Sequence, residues 1–415
     1  MGVLSRLAMT LLLWSLAVAR AVPLVPLATG PGGGADPYSF TGTALNSWSA
    51  QLSWSVPVDA ARLEILRDGR LIDRFAASVK GSYTDHLLWQ LTTYQYELKA
   101  FDSAKRVLLD LSAPVITPAQ VGSFPRSYAD SSFWNTPISR NPTVDPNSQA
   151  MVAASFLPWQ KVTVIDNDDA WGIPIAYADP SSRVYRVKCL KYLCDQRVKF
   201  RIPGYARPNT GQDGHLAVYD PTTNRELDLW QGAYDESTDK WSASTRTDTL
   251  ADWGAVCPEG QHCGGGGVAA GFLEWGGTIR PEEIAQGHID HALVITSPYL
   301  RYNYISCPAV DIWASQSPNY AHDHDAIPLG ARVQLSPSVD VGQQPWPEWE
   351  KVVARALQTY GAYVVDIGEV VALRGEANLL RGYDAWSLVG MTNVPHPHLS
   401  NLPWNEFRVL KLRRC

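Results

Sequence analysis

Apolar residues in this chain recur at every second position, in short runs broken by turn residues, and this period constrains the fold more than any other feature. Ala50-Gln51-Leu52-Ser53-Trp54-Ser55-Val56 alternates, as does Ala61-Arg62-Leu63-Glu64-Ile65-Leu66, which an Asp68-Gly69 turn joins to Leu71-Ile72-Asp73-Arg74-Phe75. Period two with a turn dipeptide predicts a β-hairpin. The same pattern continues at 161–166, 183–188, 197–202, 216–220, 226–230, 291–296, 332–335, 363–366 and 370–373. One stretch departs from it. Over 347–360, Trp349, Val352, Val353, Ala356, Leu357 and Tyr360 form a helical stripe, with Pro347 at its start and Gly361 past its end. A shorter helix is expected at 280–286. The fold class is therefore mainly β, with a large sandwich of jelly-roll type and one long helix. The 31 Gly and 29 Pro supply its turns, and 16 Trp and 18 Tyr supply flat aromatic faces. With 35 Lys+Arg against 41 Asp+Glu and no basic stripe, nucleic acid is not an expected partner.

Residues 1–21 carry one early cation, Arg6, then the apolar run 7–18 and the small-x-small ending Ala19-Arg20-Ala21. This is the pattern of a cleaved signal peptide. No later run approaches the roughly 20 apolar residues of a membrane helix, so membrane insertion is not expected. The destination is extracellular, with the periplasm as the alternative. Residues 22–36 read as a flexible linker rich in Pro and Gly. All six cysteines, Cys189, Cys194, Cys257, Cys263, Cys307 and Cys415, follow it. An even count in an exported chain predicts disulfides. Proximity favours 189 with 194, 257 with 263 and 307 with 415, while the other pairings stay open.

Residues 37–118 form the first expected domain. Ser82-Tyr83-Thr84-Asp85 and the run 91–102 complete its strands, Trp54 falls where a sandwich buries a core indole, and Tyr94 falls where it places a corner tyrosine. This region resembles a fibronectin type III domain. The resemblance implies a spacer, or an accessory module that contacts glycan or a surface, and no catalytic role. Residues 119–415 read as one further domain. Ser132-Phe133-Trp134-Asn135-Thr136-Pro137-Ile138, Asp213-Gly214-His215-Leu216, Ile289-Asp290-His291-Ala292-Leu293 and Asp325-Ala326-Ile327-Pro328-Leu329-Gly330-Ala331-Arg332 resemble the recurring pieces of an uncharacterised family of exported bacterial proteins. That resemblance implies no established activity. Leu273-Glu274-Trp275 departs from its pattern and reads as a local addition.

Chemistry-bearing residues gather at strand ends. His215 and His291 each open an apolar strand, Asp366 ends one, and Asp325 lies in a polar loop feeding the strand of Arg332. Converging His215, His291 and Asp325 would give a tunable acid/base pair and an orienting carboxylate. Structural readings stand beside these: hydrogen-bonded strand-end histidines, a loop cap at Asp325, and a turn at Asp220-Pro221. His322 and His324 lack a following Glu at cupin spacing, so no metal and no other cofactor is expected. Gly264 to Gly267 lacks the lysine of a phosphate loop and reads as a flexible loop.

Export, turns and aromatic residues point to a monomeric carbohydrate-active enzyme that degrades an extracellular polysaccharide. Trp134, Trp171, Trp230, Trp253, Trp275 and Trp313 are candidates for stacking on sugar rings, with a core role as the alternative for each. Hydrolysis, placed slightly ahead, would pair two carboxylates from Asp220, Glu274, Asp325 and Asp366. Elimination would use a His or Tyr base, with Arg332 or a His neutralising a uronate carboxylate. A non-catalytic glycan-binding or adhesion protein and a metal-dependent hydrolase are the rival readings.

Overall fold

The computed structural model describes residues 37–192, 199–391 and 396–415. The expected signal peptide and linker, and Cys194 with its expected bridge, lie outside the described residues. Seven strands come first: β1 (Ser39–Ala44), β2 (Ala50–Ser55), β3 (Arg62–Arg67), β4 (Arg70–Ala76), β5 (Lys80–Asp85), β6 (Thr93–Phe101) and β7 (Val107–Ile116). They make two sheets, ordered β1-β2-β5 and β4-β3-β6-β7, the three-plus-four arrangement of a fibronectin type III sandwich. Alternation puts Leu52, Trp54, Leu63, Ile65, Tyr94, Tyr96 and Leu98 between the sheets. The β3–β4 turn needs two left-handed residues, and Asp68 (φ 51°) and Gly69 (φ 77°) provide them. The Tyr94 hydroxyl accepts the Trp89 amide at 2.7 Å, closing the expected tyrosine corner.

The remaining chain is built on two larger sheets. The strands of these two sheets are β8 (Val164–Asp166), β9 (Ile175–Tyr177), β10 (Leu216–Asp220), β11 (Arg225–Trp230), β12 (Thr245–Leu250), β13 (Leu293–Ser297), β14 (Arg332–Leu335), β15 (Ala362–Ile367), β16 (Ala372–Arg374) and β17 (Phe407–Val409), and shorter strands outside them form two- and three-stranded sheets. One sheet runs β17-β14-β15-β13-β16-β8 and the other β12-β11-β10-β9. The fold is mainly β with few helices, as the alternation requires. Both sheets are mixed: β13 pairs parallel with β15, β16 with β8, and β10 with β9. A jelly roll is antiparallel throughout, and the period of two that reveals a strand carries no information about its partner's direction.

Among the described residues three α-helices accompany the strands: α1 (Ser148–Ser155), α2 (Pro281–Gln286) and α3 (Glu348–Thr359). The expected stripe of α3 buries Val352, Val353, Ala356 and Leu357. The chain reverses after it at Gly361 (φ 69°), where any Cβ would stand 2.3 Å from the Val333 carbonyl oxygen. Two disulfides match the proximity expectation, Cys257–Cys263 and Cys307–Cys415, with Cα atoms 6.4 and 5.4 Å apart. Among the described residues, no helix is long and apolar enough to cross a membrane.

Residues Tyr38–Cys415 form one unit, because one apolar cluster runs from Leu52, Ile65 and Tyr96 of the sandwich into Ile175, Val218 and Leu227 of the four-stranded sheet. Polar contacts tie the same seam. The Asp73 carboxylate accepts the Gly204 amide (2.9 Å) and the Ser182 hydroxyl (2.8 Å), and Asp179 accepts the Thr84 amide (2.8 Å). Next to them lies a buried ion network. Glu376 takes Arg280 at 2.5 Å and Arg381 at 2.6 Å, and Arg381 also grips Glu282 through two bonds of 2.6 and 3.0 Å. Arg67 of β3 donates to the Arg381 carbonyl at 2.8 Å and to Asp85 at 2.9 Å, joining the sandwich to this network. Burial pushes Glu376 up, but the two guanidiniums outweigh it and hold the carboxylate low.

Burial pushes Asp73 up to about 7, against the hydrogen bonds from Ser182, Arg74 and Gly204. The folded chain therefore holds this proton more tightly than the unfolded chain does. The stabilisation it gives is complete below the ordinary carboxylate range and is lost as pH rises through about 7. Asp73→Asn keeps an acceptor in place and removes the titration. Urea unfolding between pH 4 and 8 is expected to show a wild-type slope, at most about 1.4 kcal/mol per pH unit from this group, that flattens in the variant. Superimposable profiles would refute the assignment.

Candidate functional site

Strand register assembles the best-developed polar cluster. Ala217 pairs with Asp228 and Tyr219 with Glu226, while Asp228 pairs with Thr247 across the other edge of β11. Side chains alternate along a strand, so Glu226, Asp228 and Trp230 share one face while Leu227 and Leu229 enter the core on the other. His215, one residue before β10, continues the face of Ala217 and Tyr219. The segment 274–276 lies over this face. Asp228 accepts the Glu274 amide (3.1 Å), Glu226 accepts the Trp275 amide (2.8 Å) and the Tyr128 hydroxyl (2.9 Å), and the Trp275 ring stacks on Tyr219 at 4.3 Å. Both strand acids are buried. Burial raises the pKa of each, against hydrogen bonds from Asp228, Trp275 and Tyr128 at Glu226 and reinforced by the charges of Glu226 and Glu274 at Asp228.

Glu274 behaves in the opposite way. One of its oxygens sits 2.5 Å from His215 Nδ1 and the other accepts Arg374 Nη1 at 2.8 Å. Burial pushes its pKa up, and the imidazole and guanidinium together reverse that and hold it ionised. The His215 side chain is 7% exposed, its own amide is fixed by Asn209 at 3.0 Å, and its Nε2 has no hydrogen-bond partner among the described residues. Arg374 gives one of its five N–H donors to Glu274, and the rest have no hydrogen-bond partner among the described residues.

Asp366 ends β15 within this electrostatic neighbourhood. It accepts the Ala269 and Ile367 amides at 3.2 and 2.8 Å, and burial raises its pKa against the pull of Arg374 and His215. Asp166, in register with Arg374, is also raised by burial, against His396 and Arg374. The glycine run 264–267 forms a wall of the site and is not a free loop. Gly266 donates to Thr247 at 2.9 Å and Gly265 to Asp311 at 3.3 Å. A Cβ on Gly267 would lie 2.1 Å from Glu274 Cγ, so only glycine lets the backbone pass over the carboxylate.

The expected convergence of His215, His291 and Asp325 is not what the chain forms. His291 is buried with both ring nitrogens engaged, Nε2 by Glu283 at 2.9 Å and Nδ1 by the Ala292 carbonyl at 2.8 Å. Asp325 lies in an exposed loop, accepting Asn147 at 3.0 Å. Asp220 has the parity of Leu216 and Val218 and so lies on the opposite face of β10: it caps its own turn through Thr222 and pairs with Arg201 at 3.0 Å. Arg332 is spent on the carbonyls of Tyr360 (2.8 Å) and Thr136 (2.6 Å). Among the tryptophans, Trp134 is wholly buried, Trp275 is 9% exposed and Trp253 packs edge-on to Phe133, so these three are core material. Trp171 and Trp313 are 40% and 55% exposed, Trp313 lies against Gly264, and Trp230 is half-buried on the His215 face.

Glu226, Asp228 and Arg374 were absent from the sequence expectations. The alternation Glu226-Leu227-Asp228-Leu229 does place two acids on one strand face. Nothing local marks Arg374, which meets Glu274 across 100 residues of chain. Among the described residues, no three His, Cys, Asp or Glu side chains are arranged to hold a metal ion.

No protein-family model matches the chain. An alpha-amylase from Niallia circulans is 30% identical over 151 residues, which are 34% of this chain and 11% of that protein. The chain thus spans about a tenth of that relative's length. Among solved structures, the fibronectin(III)-like modules of Clostridium thermocellum CbhA are similar over 20% of this chain and 99% of theirs, at 11% identity and a TM-score of 0.18. A family 28 exopolygalacturonase from Yersinia enterocolitica covers 49% of this chain and 44% of its own, at 11% identity and a TM-score of 0.17.

Gly267→Ala is expected to displace Glu274 and to lower stability by about 1–3 kcal/mol. Gly264→Ala, whose Cβ would meet only Trp313 at 3.8 Å, should stay within about 0.5 kcal/mol of wild type. Denaturant unfolding of both variants checks the difference, and equal effects would remove the glycine wall.

Proposed function

We propose that the chain is an exported, carbohydrate-active enzyme that cleaves a uronate-containing polysaccharide by β-elimination, with His215 as the base. The observation that carries this reading is the His215–Glu274–Arg374 arrangement. An ionised, buried carboxylate lies 2.5 Å from Nδ1 and favours the proton there, which leaves the Nε2 lone pair to accept one. Arg374 keeps free donors for a substrate carboxylate. In this reading Nε2 removes the sugar proton α to that carboxylate, and Arg374 stabilises the charge that builds on the carboxylate oxygens. The bond from the β carbon to the glycosidic oxygen breaks, and Asp366, whose hold on a proton is strengthened by burial, gives the leaving oxygen its proton. The products are a new reducing end and an unsaturated, ultraviolet-absorbing uronate.

Hydrolysis is the second reading, supported by the raised pKa values of Asp366 and Asp166, which suit a general acid. Glu274 is a poor nucleophile in either reading because one oxygen accepts Arg374 and the other lies buried 2.5 Å from His215 Nδ1. The partial similarity to an alpha-amylase supports the carbohydrate class. Trp230 and Trp313 are the proposed stacking platforms. The disulfides Cys257–Cys263 and Cys307–Cys415 support export. We also place a domain boundary near residue 118, with the 37–118 module as an accessory domain firmly docked on a 119–415 catalytic domain.

A polysaccharide panel assayed for reducing ends and for ultraviolet absorbance tests the proposal. Wild type should yield both signals on a uronate polymer, and His215→Ala should lose about 10²–10⁴-fold in kcat while keeping its circular dichroism spectrum. Reducing ends without absorbance would favour hydrolysis, and full activity in His215→Ala would end the assignment of the base.

A further inference from the structure

The polar loop 322–325 takes no part in the site above, yet it walls a separate groove of about 590 Å³. That volume suits one or two sugar residues. Arg301 lies in its wall and is nine-tenths buried. Its Nη2 donates to the His324 carbonyl, and its guanidinium lies 5.0 Å from the Tyr304 ring centre. Its Nε is buried with no hydrogen-bond partner, and no carboxylate forms a close ion pair with it among the described residues, the charge of Asp323 acting on it only from beyond contact distance. A buried cation with an unsatisfied donor and no close counter-charge is costly unless something else meets it.

The acids of the groove are already committed. Asp323 accepts the Tyr299 hydroxyl at 2.8 Å and the Asp325 amide at 2.9 Å. Asp145 accepts the Asn147 and Leu412 amides at 3.0 and 3.2 Å and faces Lys411 at 3.9 Å. Tyr302 and His322 stand with ring centres 4.0 Å apart, presenting an aromatic wall beside the cation. Lys411, 56% exposed, adds a second positive charge at the rim.

We propose that this groove is a second saccharide site, which binds an acidic sugar by pairing its carboxylate with Arg301 and stacking its ring on the Tyr302–His322 wall. Recognition of the anion stands on the unpaired guanidinium, while the choice of a sugar as its carrier rests on the carbohydrate reading of the preceding section. The groove holds substrate and carries out no chemistry, so a long polymer can be anchored here while the His215 site acts on it.

Isothermal titration with digalacturonate, lactose and inorganic sulfate tests this on the intact chain. Digalacturonate should bind wild type, and His215→Ala, which cannot turn over, should bind it equally well. Arg301→Met should weaken binding at least tenfold and Tyr302→Ala severalfold, whereas lactose should not bind. The exposed Lys411→Ala, expected to weaken binding severalfold without disturbing the fold, keeps the test valid if Arg301→Met fails to fold. Binding of sulfate alone, equal binding of lactose, unchanged binding in the Lys411 and Tyr302 variants, or no binding at all would overturn the proposal. Activity lost in His215→Ala with groove binding intact separates this site from the reading it builds on.

Discussion

Glu376 is the constraint on which the rest of the molecule leans. A carboxylate with no solvent exposure sits between the guanidiniums of Arg280 and Arg381, and neither arginine is tolerable there without it. Burying an ion costs several kcal/mol before any attraction is counted, so the three side chains are stable only as a set, with Glu282 completing the charge balance. The set draws on distant segments: Arg280 and Glu282 open α2, Glu376 follows β16, and Arg381 is reached by Arg67 from the fibronectin-like sandwich. A network of this kind adds little net stability compared with apolar packing, but it admits one arrangement of those segments.

The consequence for the site lies two residues away. Arg374 and Glu376 stand on one extended segment, with Gly375 between them donating to the Asp166 carbonyl at 2.7 Å. A Cβ at Gly375 would meet Asn167 at 2.8 Å, so the segment lies tightly on β8. Fixing Glu376 in the ion network therefore fixes the position from which Arg374 reaches Glu274. The fibronectin-like module contributes to that position through Arg67, although none of its residues joins the His215 cluster. Its apolar surface continues into the four-stranded sheet that carries His215, Glu226 and Asp228.

Much of this was legible in the sequence, and what was not legible has a common cause. Strand and helix periods are local, so 216–220, 332–335 and α3 stood out, as did the corner role of Tyr94 and the short cysteine spacing at 257–263. His215 was visible as a polar residue opening an apolar strand. By the same signal His291 looked equivalent, but a ring nitrogen's availability depends on what packs against it, and Glu283 of α2 closes it. Glu274 looked like a stray acid in an apolar segment. Its partners come from 59 positions earlier and 100 later in the chain, and no local pattern reports such a meeting. The glycine run was likewise ambiguous, because glycine marks both a loop that needs freedom and one that needs closeness, and only the 2.1 Å approach to Glu274 distinguishes them.

The three buried acids divide the work by their protonation. Glu226 and Asp228 are both raised, chiefly by burial, with Glu226 further raising Asp228 while hydrogen bonds pull Glu226 back, and they spend themselves on accepting the backbone amides of 274–276. Glu274, compensated by the Arg374 guanidinium, stays charged in the same buried surroundings. The same burial that raises the two strand acids is overturned at Glu274 by Arg374, so the difference between the three arises from where the cations stand, not from the acids themselves.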